Sequence, residues 1–294
     1  MVAAVAAAPA DISQHALHLR LSRFNALRLT PGLPTNDSLR ALRDEYDHRA
    51  VELAFLDDER HRVTDAAAEA PRDPAQFNAW FEELKQSGPG QNDPLFTYLA
   101  EEANLDEMRW FLTQEIAGEA GFDDLVALTQ VKMPQLAKLE LARNYWDEMG
   151  RGKAKAMHGV LLEEVAVTLN LVARPEETVW ESLALANLMA GLASNRSYAF
   201  HAVGALGVVE LTAPTRVGLV DQGLRRLGIA ARARQYFALH ATLDVKHSED
   251  WNREVLTTLL AERPEFAQPI AEGALMRLEA GARCFARYRQ ELGI

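Results

Sequence analysis

The chain holds one cysteine, Cys284, in 294 residues. A single thiol excludes a disulfide framework and a thiolate-rich metal site, and it fits a reducing, cytoplasmic setting. Basic residues are outnumbered: 31 Lys and Arg stand against 42 Asp and Glu, a formal net charge of −11. Binding phosphates needs a basic surface, so no nucleic-acid partner is expected. No run of eighteen or more apolar residues occurs, so no membrane span is expected. The opening MVAAVAAAPADIS lacks the charged n-region and long apolar core of a signal peptide and reads as a disordered tail. The β-branched alternation of strands is nearly absent, and so are a glycine-rich phosphate loop, a GxSxG elbow, a Cys/His pairing and any internal repeat.

What is there is helix. Ala, Leu, Glu and Arg dominate, broken by Pro and Gly clusters at TPGLPTN (30–36), EAPRDPAQ (69–76), SGPGQNDP (87–94), GRGK (150–153), ARPEET (173–178), LTAPT (211–215) and ERPEF (262–266). The segments between them predict helices over 12–29, 37–67, 74–86, 94–102, 105–130, 134–149, 156–170, 178–195, 198–211, 215–226, 230–261 and 265–291. Asn36, Asp37 and Ser38 stand where a cap is needed. The fold class is all-α: residues 1–91 form a tail and helical extension packed on the core, and 92–294 a compact helical domain.

Several polar residues sit on faces that should be apolar. In FALHATLDVKHSEDW (237–251), His240, Asp244 and His247 follow one another at helical spacing, with Phe237 and Trp251 on the same stripe. Leu105, Met108, Leu112, Glu115, Glu119, Phe122, Val126 and Thr129 form another stripe, with two glutamates in its middle. Burying two unpaired carboxylates costs several kcal/mol each, and a cation between them removes the cost. Leu141, Asn144 and Glu148 share a face; His158 precedes Leu161, Leu162 and Val165; Val203, Leu206 and Glu210 form an inner stripe, with Gly204 and Gly207 permitting close helix approach. The turn between Glu148 and His158 brings them toward one region. Carboxylates and imidazoles without thiolate form the ligand set of iron or manganese, built in helical bundles from side chains that project inward.

The plainer readings are these. A lone inward histidine is more often a core residue than a ligand, and Asp244 with His247 reads equally as a surface pair. Glu45 and His48 spell ExxH, but no second copy exists and the segment is strongly charged, so a solvated face is expected. His201 is out of phase with Glu210; His15, His18 and His61 have no inward partners; Asp123 and Asp124 fall off the stripe of Glu119; Cys284 is a packing residue.

The order Glu148, nine residues, His158, then Glu210, then His240-x3-Asp244-x2-His247, with GEAGFDDLVALTQVKMP and KLELARNYWDEMGRGKAKAMHG, resembles the haem-oxygenase-like di-metal oxidases and oxygenases, the iron-containing redox enzymes, over about residues 92–262. The resemblance implies a haem-oxygenase-like bundle of about seven core helices without haem. It implies two irons, with manganese as the alternative, and dioxygen as co-substrate. Glu148 would bridge the metals, with His158, Glu210 and His247 on one side and His240 and Asp244 on the other. An extra ligand would come from Glu115 or Glu119, between which spacing does not choose. Tyr145, Asn144 and Tyr236 are candidates to orient His158 and His240, and Trp251 to wall the pocket. The implied chemistry is oxidation of a small organic substrate, an amino-acid-derived amine or a fatty-acid-like molecule, with electrons from an external donor or the substrate. Two rivals stand beside it: a metal-free enzyme of the thiaminase or quinone-cofactor-synthase type, and a helical binding protein with a satisfied buried polar network. A homodimer is compatible with the chain, but no residue specifies it.

Overall fold

The computed structural model describes residues 13–34 and 37–294, so the N-terminal tail and Asn36 lie outside the described residues. Among the described residues there are thirteen α-helices and no strand. They are α1 (Gln14–Leu29), α2 (Ser38–Ala68), α3 (Pro74–Ser87), α4 (Pro94–Glu101), α5 (Leu105–Gly118), α6 (Phe122–Thr129), α7 (Gln135–Glu148), α8 (His158–Leu169), α9 (Trp180–Ser194), α10 (Ala199–Arg226), α11 (Gln235–Asp250), α12 (Thr257–Glu262) and α13 (Ala267–Leu292).

Local chemistry sets many of the ends. Asp73 and Asp93 each cap a helix whose first residue is proline, and Asn104 with Glu107 closes a reciprocal capping box at α5. Asp37 precedes α2 without a side-chain cap bond. After α7 the backbone turns left-handed at Gly150 (φ 61°) and Arg151 (φ 52°). A Cβ at Gly150 would overlap the Ala156 carbonyl, so only glycine lets the chain double back there.

Helix α10 is the axis of the bundle and packs on α13, α11, α4 and α9. It runs unbroken through Pro214, where the sequence predicted two helices. The proline forfeits one helical hydrogen bond, to the Glu210 carbonyl, and the surrounding contacts outweigh that loss. The stretch 196–226 is long and apolar enough to cross a membrane by length and composition; here its apolar surface is the core. Gly204 and Gly273 bring α10 and α13 into backbone contact: a Cβ at 204 would overlap the Ile270 carbonyl, and one at 273 the His201 carbonyl.

The N-terminal helices are fastened by charge as well as by packing. α1 packs on α9, and α2 on α13. Arg28 holds the buried Glu52 at 2.5 Å, and Asn195 donates to the same carboxylate at 3.0 Å. His18, expected to lack inward partners, is buried between Phe55 (4.9 Å) and Trp180 (5.7 Å). Leu105, expected on a core stripe, is 41 % exposed.

Two predicted helices are divided. Residues 105–130 break after Gly118, and 230–261 becomes α11, a π-helical stretch at Trp251–Leu256 and α12. The π stretch begins four residues past His247 and seats Trp251 against Gly207 rather than in the pocket.

Candidate metal centre

Five segments converge on one buried point. Glu148 is the last residue of α7 and His158 the first of α8, so the glycine turn between them sets their meeting; Glu148 Oε2 stands 2.6 Å from His158 Nδ1. Glu210 comes from the middle of α10. Its Oε1 accepts from Asn144 Nδ2 at 2.5 Å, and its Oε2 lies 3.5 Å from His247 Nδ1. α11 contributes His240, Asp244 and His247 from one face; Asp244 Oδ1 stands 3.9 Å from His247 Nδ1. The His158 and His240 rings meet edge to face at 4.5 Å. The fifth segment is the end of α5, whose Glu119 lines the cavity but is itself solvent-exposed.

Ligand atoms of Glu148, His158 and His240 all lie within 4.8 Å of one another, and so do those of Glu148, Glu210 and His247. Either trio could hold a metal ion, and Glu148 belongs to both. By distance His158 groups with His240 and Glu210 with His247, whereas the resemblance implies His158, Glu210 and His247 on one side and His240 and Asp244 on the other.

Asp244 Oδ1 is buried without a hydrogen-bond partner, and His158 Nδ1 and His247 Nδ1 reach only the clustered carboxylates, Glu148 and Glu210. Leaving such a group unpaired costs about 1–3 kcal/mol. An orphaned carboxylate oxygen beside two imidazoles that meet only carboxylates, all of ligand type, fits a bound cation. The charges agree. Burial, then the neighbouring Glu210 carboxylate, pushes Glu148 up to about 9; burial, then Glu210 and Glu148, pushes Asp244 up to about 10. Burial holds His158 and His240 down at about 4. Burial also works against the His247 cation, but Glu210 and Asp147 outweigh it and hold that ring at about 9.

The surroundings orient these groups. His240 Nδ1 donates to the Tyr236 carbonyl at 2.7 Å, which presents Nε2 inward. His247 Nε2 meets Asp147 Oδ2 at 3.2 Å, and Asp147 is also held by Arg151 at 2.6 Å. Asn144 orients Glu210, not a histidine, and Tyr145 makes none of these contacts. The sequence reading passed over Asp147, although it adjoins Glu148. It also set Asp123 aside, which lines the cavity.

The helix break at 119–121 separates the two glutamates of the predicted stripe. Glu119 Oε1 accepts from the Gly121 and Phe122 amides, both at 3.1 Å, and so caps α6. Glu119 lines the cavity of about 120 Å³ that contains Glu148, His158, Glu210, His240 and Asp244. Glu115 accepts from Tyr288 Oη at 2.9 Å and lines only an adjoining cavity of about 140 Å³.

The residues set aside behave as packing groups. His201 pairs with the buried Glu272 at 2.9 Å, and His48 stacks on Phe24 at 5.0 Å with Glu45 exposed. Cys284 is fully buried, and burial pushes its thiol up, away from reactivity.

Residues 109–282 match the family of iron-containing redox enzymes. The chain belongs to this family. Among solved structures, the chain is similar to a CADD-like protein of unknown function from Nostoc punctiforme. The identity is 16 %, the match covers 80 % of this chain and 97 % of that one, and the TM-score is 0.53. That likeness establishes the haem-oxygenase-like helical fold. No curated protein matches the chain.

Proposed function

We propose that this member of the iron-containing redox enzyme family is a di-iron oxidase or oxygenase that uses dioxygen to oxidise a small organic substrate. One observation carries the reading: two ligand trios share a single carboxylate, Glu148. A carboxylate common to two sites is the bridging position of a di-metal centre. Glu148, His158 and His240 would hold one ion, and Glu148, Glu210 and His247 the other. Asp244 lines the same cavity with an unpaired oxygen and would complete the set, and Glu119 would serve as the extra ligand. Iron at this centre would supply the redox chemistry and take electrons from a donor outside the chain or from the substrate. Tyr236 and Asn144 fix a histidine and a carboxylate in place; Asp147 takes the outer N–H of His247 and favours its inner nitrogen as a ligand. Val209 and Val217 from α10 and Leu162 from α8 keep the cavity apolar and limit water.

The test is anaerobic titration of the metal-free protein with Fe(II), followed by rapid mixing with dioxygen under optical monitoring. Two irons bound per chain and oxygen consumed are expected. His240→Ala should lower iron stoichiometry and abolish oxygen consumption while the protein stays folded by circular dichroism. Absence of iron binding above background would leave a metal-free or purely binding role.

A further inference from the structure

The second cavity carries two arginines that the metal chemistry does not use. Arg216 of α10 and Arg277 of α13 both line it, and neither makes a hydrogen bond or an ion pair with a described residue. Arg216 lies over the rings of Phe285 (5.6 Å) and Phe96 (6.0 Å). A guanidinium packed through its face keeps the N–H groups of its edge available. Gly281 leaves the Arg277 guanidinium its space, since a Cβ there would lie 2.8 Å from Nη1. The facing acid is Glu115, which already accepts from Tyr288. Glu119 also lines this cavity and already accepts from the Gly121 and Phe122 amides, so both carboxyls are engaged elsewhere and neither forms an ion pair with Arg216 or Arg277. Burial and the neighbouring Arg277 push Arg216 down to about 9, and it still stays charged at neutral pH.

The two cavities adjoin. Glu119, Leu162, Val209, Ala213, Val217 and Tyr236 line both, whereas Arg216 and Arg277 line only the second and Glu148, His158, Glu210, His240 and Asp244 only the first. Arg216 follows Glu210 by six positions on α10, about 9 Å along the helix axis. Each cavity approaches the size that takes up a benzene-sized molecule.

We infer that Arg216 and Arg277 form the carboxylate-binding end of the substrate pocket, so that the substrate is a short aliphatic monocarboxylate whose acid group is held away from the metal centre and whose far end is presented to it. This rests on the proposed function for what happens at that far end. The recognition itself is a property of the arginines. The free N–H edges of the two planar forks match carboxylate geometry. The apolar wall of Leu162, Val209, Ala213 and Val217 suits a methylene chain between the two ends. A neutral molecule of the same shape would leave both guanidiniums without an ion-pair partner.

The test is calorimetric titration of the full chain, kept metal-free with chelator, with hexanoate, 1-hexanol and hexylamine. Removing the metal ensures that no carboxylate binds there instead. Hexanoate should bind at least ten-fold more tightly than hexanol, and hexylamine not measurably. In Arg216→Met/Arg277→Met the preference should vanish while iron stoichiometry stays at the wild-type value. Arg216→Lys/Arg277→Lys keeps both charges and guards against a double variant that fails to fold; it should retain part of the preference. Hexanoate binding no better than hexanol, or equally well in the methionine variant, would overturn the inference. Loss of iron binding in the wild type with the hexanoate preference intact would sink the di-iron reading and leave this one standing.

Discussion

At the level of single residues, function and stability pull against each other in the metal centre. Glu148 is buried beside other carboxylates and lacks a counter-charge of its own strength. Glu148→Gln keeps the shape and removes that charge. Iron affinity should then fall by at least about 100-fold, since a ligand matters more than the groups behind it. The metal-free variant should nonetheless melt a few degrees above metal-free wild type at pH 8, by scanning calorimetry. An unchanged iron titration would remove Glu148 from the ligand set. His18 gives a separate pH effect, far from the metal. Burial, then the nearby Arg283 charge, lowers its pKa from 6.5 to about 4. Below pH 6.5 the unfolded chain takes up a proton that the folded one refuses, so this contribution is complete above 6.5 and is lost as pH falls toward 4. Its limit is about 3 kcal/mol. The stability difference between wild type and His18→Phe, by urea unfolding from pH 7 down to 4.5, should shift against wild type by that order. A difference independent of pH would show that His18 titrates normally.

Among the elements, α10 decides most of what the site can be. It carries Glu210 toward the metals and Arg216 toward the second cavity, and it rests on α13 through Gly204 and Gly273. Gly204→Ala has no room, because the obstacle is the Ile270 backbone and not a side chain that can swing away. It should cost about 1–3 kcal/mol or more through overpacking and lower the melting temperature by several degrees. Since α10 would shift with it, iron affinity should drop as well. A melting point equal to wild type would mean that the helices separate at no cost. The sequence anticipated the close approach from Gly204 and Gly207. It did not anticipate that one helix would run through Pro214, because a lone proline reads as a stop until tertiary contacts compensate for it. The break after Gly118 was missed for the converse reason. Glu119 fits an apolar stripe on paper, but Gly121 takes φ 74° and Glu119 caps the next helix.

For the whole molecule, the metal centre ties stability to pH. Glu148 and Asp244 have folded pKa values of about 9 and about 10, above their ordinary 4.5 and 3.8, and His247 about 9, above 6.5. The folded metal-free protein therefore holds more protons than the unfolded chain between these limits. Its stability is greatest below the ordinary values and is lost as pH rises through the folded ones. Below 6.5 the lowered histidines work in the opposite sense; above it the raised groups act alone. The metal-free melting temperature should thus fall from pH 6.5 to 9. Iron binding must displace those protons, so affinity should increase over the same range and proton release should be measurable in buffers of different ionisation enthalpy. A metal-free melting curve that climbs with pH would contradict the assignment. The sequence by itself determined the all-α class, the family and the candidate list, because helical period and ligand order are properties of one dimension. The tertiary structure alone decided which histidine sits with which carboxylate, that Glu119 and not Glu115 lines the metal cavity, and that two unpaired arginines face the adjoining one. Those are distances between segments up to a hundred or more residues apart, and they arise only where α5, α8, α10, α11 and α13 pack together.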